Sequence, residues 1–236
     1  MAVAASRCWT PVDTGNSGSV LACVNVSALP IGRYWVTTEV SRWTEFLGSP
    51  KIPRMDDELP VADLVRRLAT GSQLECIESA KELARRKDRR VLSEVISVLQ
   101  RGESGHSREM AAWLLGELRP GTELTLDALH ATIIDPNTTE SLRGQAMESL
   151  GNQVSHLKGG DVYERAADVL IPLLQHPSVE VLYNAVFALG TMRCRRARPE
   201  LVRLAAHDRR TYRGLETIGE NAQFAIECID YEPHGR

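Results

Sequence analysis

The chain lacks the cysteine spacing of a disulfide framework or a zinc site. It has five cysteines, Cys8, Cys23, Cys76, Cys194 and Cys228, an odd number with no Cys-x-x-Cys. A reducing compartment is the simpler reading, and a cytoplasmic location is expected. An apolar run of the ~18 residues that a membrane span needs is also missing. The nearest approach to a signal-peptide core is "VLACVNVSALPIG". Asn25 and Ser27 interrupt it and a Gly/Ser-rich stretch precedes it, so it makes a poor signal. No membrane contact is expected. The net charge of −3 gives no reason to expect nucleic acid from bulk charge.

Catalytic motifs are missing too. The six histidines are His106, His130, His156, His176, His207 and His234. None pairs with another histidine or a cysteine at metal-ligand spacing, and there is no His-Glu-x-x-His. There is no Gly-x-Ser-x-Gly, and "KGGD" at 158–161 is too short for a phosphate loop. Cys194 lies among arginines in "RCRRAR", which would activate an exposed thiol. An inert loop cysteine is the favoured reading. No catalytic residue, metal ligand or cofactor is assigned.

What the chain does have is two regions of unlike texture. Residues 1–54 carry scattered Gly, Ser, Thr, Asn and Pro, with five basic and three acidic residues. Residues 55–236 carry 23 basic and 28 acidic residues and read as helix nearly throughout. Met55, followed by Asp56, Asp57 and Glu58, looks like a natural start. Residues 1–54 are then an extension: a disordered arm or an over-long reading frame. The competing reading is a short cap helix within "TEVSRWTEFLG". Val40, Trp43, Phe46 and Leu47 share one face there, with Thr38 as N-cap and Gly48 as stop.

The second region repeats itself. Ser79, Ala111, Ala146, Ala185 and Ala222 fall at intervals of 32, 35, 39 and 37 residues. Four positions on come Leu83, Leu115, Leu150, Leu189 and Ile226. Five positions on come Gly116, Gly151 and Gly190 in three of the five echoes. Small-x₃-Leu is one helical turn, so both residues share a face. The small residue lets a helix approach, and the Leu stabilises by roughly 2 kcal/mol if fully buried. The Gly either permits close packing or begins the helix end.

Between the echoes lie other apolar helical stripes. "RRVLSEVISVLQRG" has Leu92, Val95, Ile96 and Leu99. "ELTLDALHATIID" has Leu126, Leu129 and Ile133. "YERAADVLIPLLQH" has Ala166, Val169, Leu170, Leu173 and Leu174. "RPELVRLAAHD" has Leu201, Leu204 and Ala205. The unit is helix, short turn, helix, about five times over, and stacking is what lets each unit bury its apolar face.

"RGQAMESLG" and "REMAAWLLG" resemble the basic-x-x-Ala-x₃-Leu-Gly second helix of HEAT repeats, of the bacterial phycobiliprotein-lyase-like type. Pro172 and Pro199 sit in first helices, where such repeats often carry proline. The resemblance covers roughly residues 56–230. It implies an all-α, alpha-alpha superhelix, a right-handed solenoid of helical hairpins. It also implies a scaffold that binds another protein. Some HEAT-like proteins attach or detach bilin chromophores and some modify nucleic acid, so these stand as alternatives.

Two candidate surfaces follow. The loops between repeats gather Arg85, Arg86, Arg89, Arg90, Arg193, Arg195, Arg196 and Arg198 into a basic edge. It would dock an acidic partner, or else serve only to offset helix dipoles. The second surface comes from stepping about 100° per residue along the second helices. Position +2 from the small residue lies almost opposite the core and holds Lys81, Trp113, Glu148, Phe187 and Phe224, with Tyr183 nearby at −2. The resemblance puts this row on the concave face, where aromatic anchors suit a binding surface. Gln145 and Asn184 are read as exposed. The expected partner is a protein, nucleic acid is the less favoured one, and the chain is expected to be a monomer.

Overall fold

The structure, a computed structural model, describes residues 59–157, 159–214 and 216–231. The cap-helix reading at 38–48 and the boundary at 54/55 lie outside the described residues. Among the described residues ten α-helices follow in sequence, in pairs. The pairs are α1 (Val61–Thr70) with α2 (Gln73–Arg86), and α3 (Leu92–Arg101) with α4 (Gly105–Leu118). Then come α5 (Glu123–Ile134) with α6 (Glu140–Val154), and α7 (Asp161–Leu170) with α8 (Val179–Thr191). The last pair is α9 (Arg198–His207) with α10 (Ile218–Asp230). Five hairpins stack as the repeat predicts. Odd-numbered helices form an outer, A layer and even-numbered helices an inner, B layer.

Each B helix begins at a hydroxyl. Ser72, Ser104, Thr139, Ser178 and Thr217 accept the N–H of the third helical residue. A cap of this kind contributes about 1 kcal/mol. At Ser72 and Thr217 a glutamate at that third position reaches back to the cap N–H, closing a capping box. Two B helices end on left-handed residues, Lys87 (φ 51°) and Arg119 (φ 42°).

The stretch read as one helix through Pro172 is not one. The α-helix stops at Leu170, and Ile171–Gln175 form a 3-10 turn. Proline has no N–H to donate, and its ring crowds the carbonyl four residues back. Pro199 sits in the first turn of α9, where a missing N–H goes unused.

The repeat alignment marks the core. Ser79, Ala111, Ala146, Ala185 and Ala222 are all at most 1% exposed, and Leu83, Leu115, Leu150 and Leu189 at most 2%. These residues face the A helix of their own hairpin. The glycines settle between the two roles open to them: each lies within its helix and touches the next B helix. A Cβ on Gly151 would sit 3.0 Å from Ala188 Cα, and one on Gly190 3.0 Å from Ala225 Cα. Gly116 meets Ser149 in the same way. Thus Gly at +5 packs on a small residue at +3 of the following unit.

Buried amides stitch the units further. Gln153 donates to Leu115 O at 2.8 Å and accepts from Gly121 N at 2.7 Å. The outer layer is joined differently. Arg165 on α7 bridges Glu123 and Asp127 on α5. Arg196 bridges Glu164 and Asp168 on α7 at 2.6 and 2.8 Å. The B helices pack on one another more closely than the A helices do, which is the asymmetry that curves a solenoid with its closer layer inside.

Candidate functional site

Every interior B helix packs chiefly on its own A helix, the preceding B helix and the following B helix, with smaller contacts of α4 on α1 and of α6 on α7. Among the described residues no helix covers the fourth side. By helical phase that side carries positions −2, +2 and +6, so it forms the floor of the inner groove.

The row read at +2 divides. Lys81, Trp113, Glu148 and Phe224 are half-buried. Burial lowers the Lys81 ammonium pKa, with Glu78 opposing the shift. Phe187 is 7% exposed, so it serves as floor rather than as a projecting anchor. Tyr183, 2% exposed, belongs elsewhere. Its hydroxyl donates to Glu216 at 2.9 Å, and its ring lies 5.1 Å from that of Tyr212. Tyr212 in turn donates to Glu180 at 2.7 Å, and Arg213 joins the same carboxylate at 3.3 Å. Burial, then the Glu216 hydrogen bond, pushes the Tyr183 hydroxyl far above its usual range. Together these residues clamp the 208–217 loop onto the start of α8. The reading of Tyr183 as a groove residue is corrected accordingly.

Gln145 is corrected as well: it is 6% exposed, not solvated. Position −1 points back toward the preceding B helix. Asn221, at the same position, donates to Tyr183 O at 3.2 Å, and Asn184 lies against Gly144. The close B-to-B approach covers this flank, which a single-helix wheel shows as open.

Sequence reasoning also passed over Glu109 and Glu117. Both are half-buried and lie on the groove side of α4. Burial raises the Glu117 carboxyl pKa, and Arg119 opposes the rise. The −2 and +6 positions of the same wheel would have found them.

The basic edge is largely engaged by the chain's own acceptors. Arg85 and Arg86 share Glu82 at 2.6 and 2.7 Å, and Arg86 also donates to Leu59 O. Arg90 pairs with Asp88 at 2.8 Å, and Arg89 donates to Arg119 O. Arg193 lies over the Tyr231 ring, Arg196 makes the bridge above, and Arg198 pairs with Asp230 at 2.7 Å. Arg195 is exposed. Such half-exposed pairs contribute little stability each, but they leave the edge far less positive than its sequence.

Cys194 is 0% exposed and burial pushes its thiol pKa up, the opposite of an activated thiolate. Cys76 and Cys228 are buried and free. An open depression of about 540 Å³ lies at the turn edge of the last two units, away from the groove. Its wall carries Arg203, Asp208 and Arg210, and these charges pair with Glu200 or one another.

Alternating helices, a shared core position and a B layer stacked through glycine define an α-solenoid of HEAT type. The model of the PBS lyase HEAT-like repeat matches residues 181–207, which run from α8 through α9. A chain of the complex of CpcE and CpcF of phycocyanin lyase from Nostoc sp. PCC7120 has a similar fold, with a TM-score of 0.58. It is 14% identical over 70% of this chain and 97% of that one, a likeness of fold alone. A designed armadillo repeat protein in complex with peptide (KR)4 scores 0.48, at 19% identity over 72% of this chain and 82% of that one. No curated protein matches the sequence.

Proposed function

We propose that the helical region is a non-catalytic, protein-binding solenoid: a scaffold, adaptor or inhibitor whose partner lies along the inner groove. One observation carries the reading. Trp113 remains half-buried on the side of the B helices that no described helix covers. Large aromatic rings on such a side are what binding surfaces use as anchors. The reading takes 55–236 as the repeat domain and 1–54 as a separate extension. It includes a reducing, cytoplasmic setting, which the free buried thiols fit. Among the described residues no helix is long and apolar enough to cross a membrane.

The test is Trp113→Ala with Phe224→Ala in the tagged full chain. Partner recovered from the native host should fall at least tenfold while the melting temperature barely moves. Equal recovery, or loss of the fold, rejects the groove. The alternative is a chromophore-lyase-like role, supported by the repeat match at 181–207 and the fold it shares. Incubation with a bilin and an acceptor protein, read as covalent transfer of colour, separates the two.

A further inference from the structure

The loop edge between repeats is mostly neutralised by the chain's own acids, and a surplus remains at its start. Lys87 and Arg119 end α2 and α4, and Arg89 opens the 3-10 turn that leads into α3. Among the described residues none of the three forms an ion pair. The Arg89 guanidinium instead donates to the Arg119 carbonyl at 3.3 Å, which brings the first between-repeat loop against the second. Glu117 feels the Arg119 charge through space, without a bond. Farther along the same edge Arg85, Arg86, Arg90, Arg196 and Arg198 each hold an acid. Cations gathered without a counter-charge repel one another, and a bound acid removes that cost.

A second observation comes from the backbone. Lys87 and Arg119 hold the same place in their units, eight residues after the aligned Ser79 and Ala111. Both are left-handed, at φ 51° and 42°. Helices that end this way favour glycine or asparagine at that residue, because other side chains crowd the backbone there. A cation near a helix C-terminus does offset the dipole. But α2 already carries Arg85 and Arg86 in its last turn, so Lys87 is not needed for that. A strained residue kept where an easier one would serve marks a position held for its side chain. Arg193 repeats the place and the conformation in the fourth unit, at φ 55°, but its guanidinium lies over the Tyr231 ring.

We infer that the first joint of the loop edge, formed by Lys87, Arg89 and Arg119, docks a short acidic segment of a partner protein. Packed helices lie about 8–10 Å apart. An extended chain advances about 3.3 Å per residue. Carboxylates two or three residues apart on such a segment therefore reach the ends of α2 and α4 together. A nucleic-acid backbone fits less well, since its affinity comes from many cations along a run of phosphates. Residues 55–236 carry 28 acidic against 23 basic residues, and the paired arginines nearby bring their acids with them. The joint lies at the helix ends and does not rest on the groove reading.

Fluorescence anisotropy of the full-length protein tests this, with a short labelled peptide alternating glutamate and serine as the probe. The peptide should bind at low salt, and added salt should release it. Lys87→Asn/Arg119→Asn removes two charges and leaves a residue suited to the left-handed backbone. It should bind the peptide at least tenfold more weakly, and its melting temperature should hold or rise. Arg101→Gln/Arg203→Gln removes the same charge at the turn edge and should bind as the parent does. Failure of the peptide to bind overturns the inference. So does undiminished binding by the asparagine variant, and so does an equal loss in the turn-edge variant. A lower melting temperature in the asparagine variant also overturns it, because the two cations would then serve as helix caps. Tighter binding of an oligothymidylate than of the peptide, lost in the same variant, would give the joint to nucleic acid and overturn the acidic-segment reading.

Discussion

Replacing Gly151 by alanine probes the contact that spaces the inner layer. Within an exposed helix interior the change stabilises by about 0.5–1 kcal/mol, because alanine loses less backbone freedom on folding. Gly151 lies inside α6, so propensity alone predicts a gain. The packing predicts the reverse. The new Cβ would stand 2.9 Å from Ala188 O and 3.0 Å from Ala188 Cα, both backbone atoms. No flexible side chain can yield there, so α8 must shift away from α6. Overpacking of this kind costs about 1–3 kcal/mol, which outweighs the propensity gain and leaves a net loss of roughly 1–2 kcal/mol. For a repeat region of this size that is a fall in melting temperature of about 2–8 °C. Gly105 is the control, since a Cβ at the start of α4 meets nothing within 4 Å. Gly105→Ala should be neutral or slightly stabilising. Thermal unfolding followed by circular dichroism at 222 nm reads both. A Gly151→Ala protein that melts at or above the parent temperature would refute the close-approach account.

Ala146→Asp and Ala185→Asp each place an unpaired charge at a site with 0% exposure and should destabilise by several kcal/mol. Gln100→Asp, on the exposed face of α3, should cost far less, and equal urea midpoints for the two sets would contradict the core assignment. Glu82 is held down from 4.5 to about 2, first by its hydrogen bond with Arg85 and then by Arg86. A depressed carboxylate contributes stability above its unfolded pKa and loses it as pH falls toward the folded value. Glu82→Gln should therefore flatten the decline in stability between about pH 4.5 and 2. An unchanged acid limb would show that the pair has no energetic weight.

The repeat was legible because its signal is local. A small residue, a leucine one turn on and a glycine beside it describe one helix face, and all three landed where the spacing put them. The fate of Gln145 was not legible. A wheel drawn for one helix contains nothing about the helix that packs on its flank, and glycine-mediated stacking brings that neighbour unusually close. The basic edge misled for a related reason. The acids that engage Arg196 and Arg198 lie 28 to 32 residues away, on other helices. No single helix holds both members of such a pair. Tyr183 was taken for a groove residue because the 208–217 loop, which covers it, has no counterpart in the earlier units. Glu109 and Glu117 were within reach of the same phase argument that found Trp113, four positions before it and four after.

The unlike joints of the two layers make the solenoid behave as a bent strip with its neutral line displaced to one side. Glycine contacts with the alanine or serine of the next B helix are short and stiff, so the inner surface resists being stretched or squeezed. Arginine bridges between A helices are long, half-exposed and screened by salt. Flexing therefore takes place in the outer layer, about a line running through Gly116, Gly151 and Gly190. Ionic strength should open or close the arc while the spacing of groove positions along the floor holds nearly constant. A partner that reads those positions one repeat at a time would meet the same ruler at every curvature.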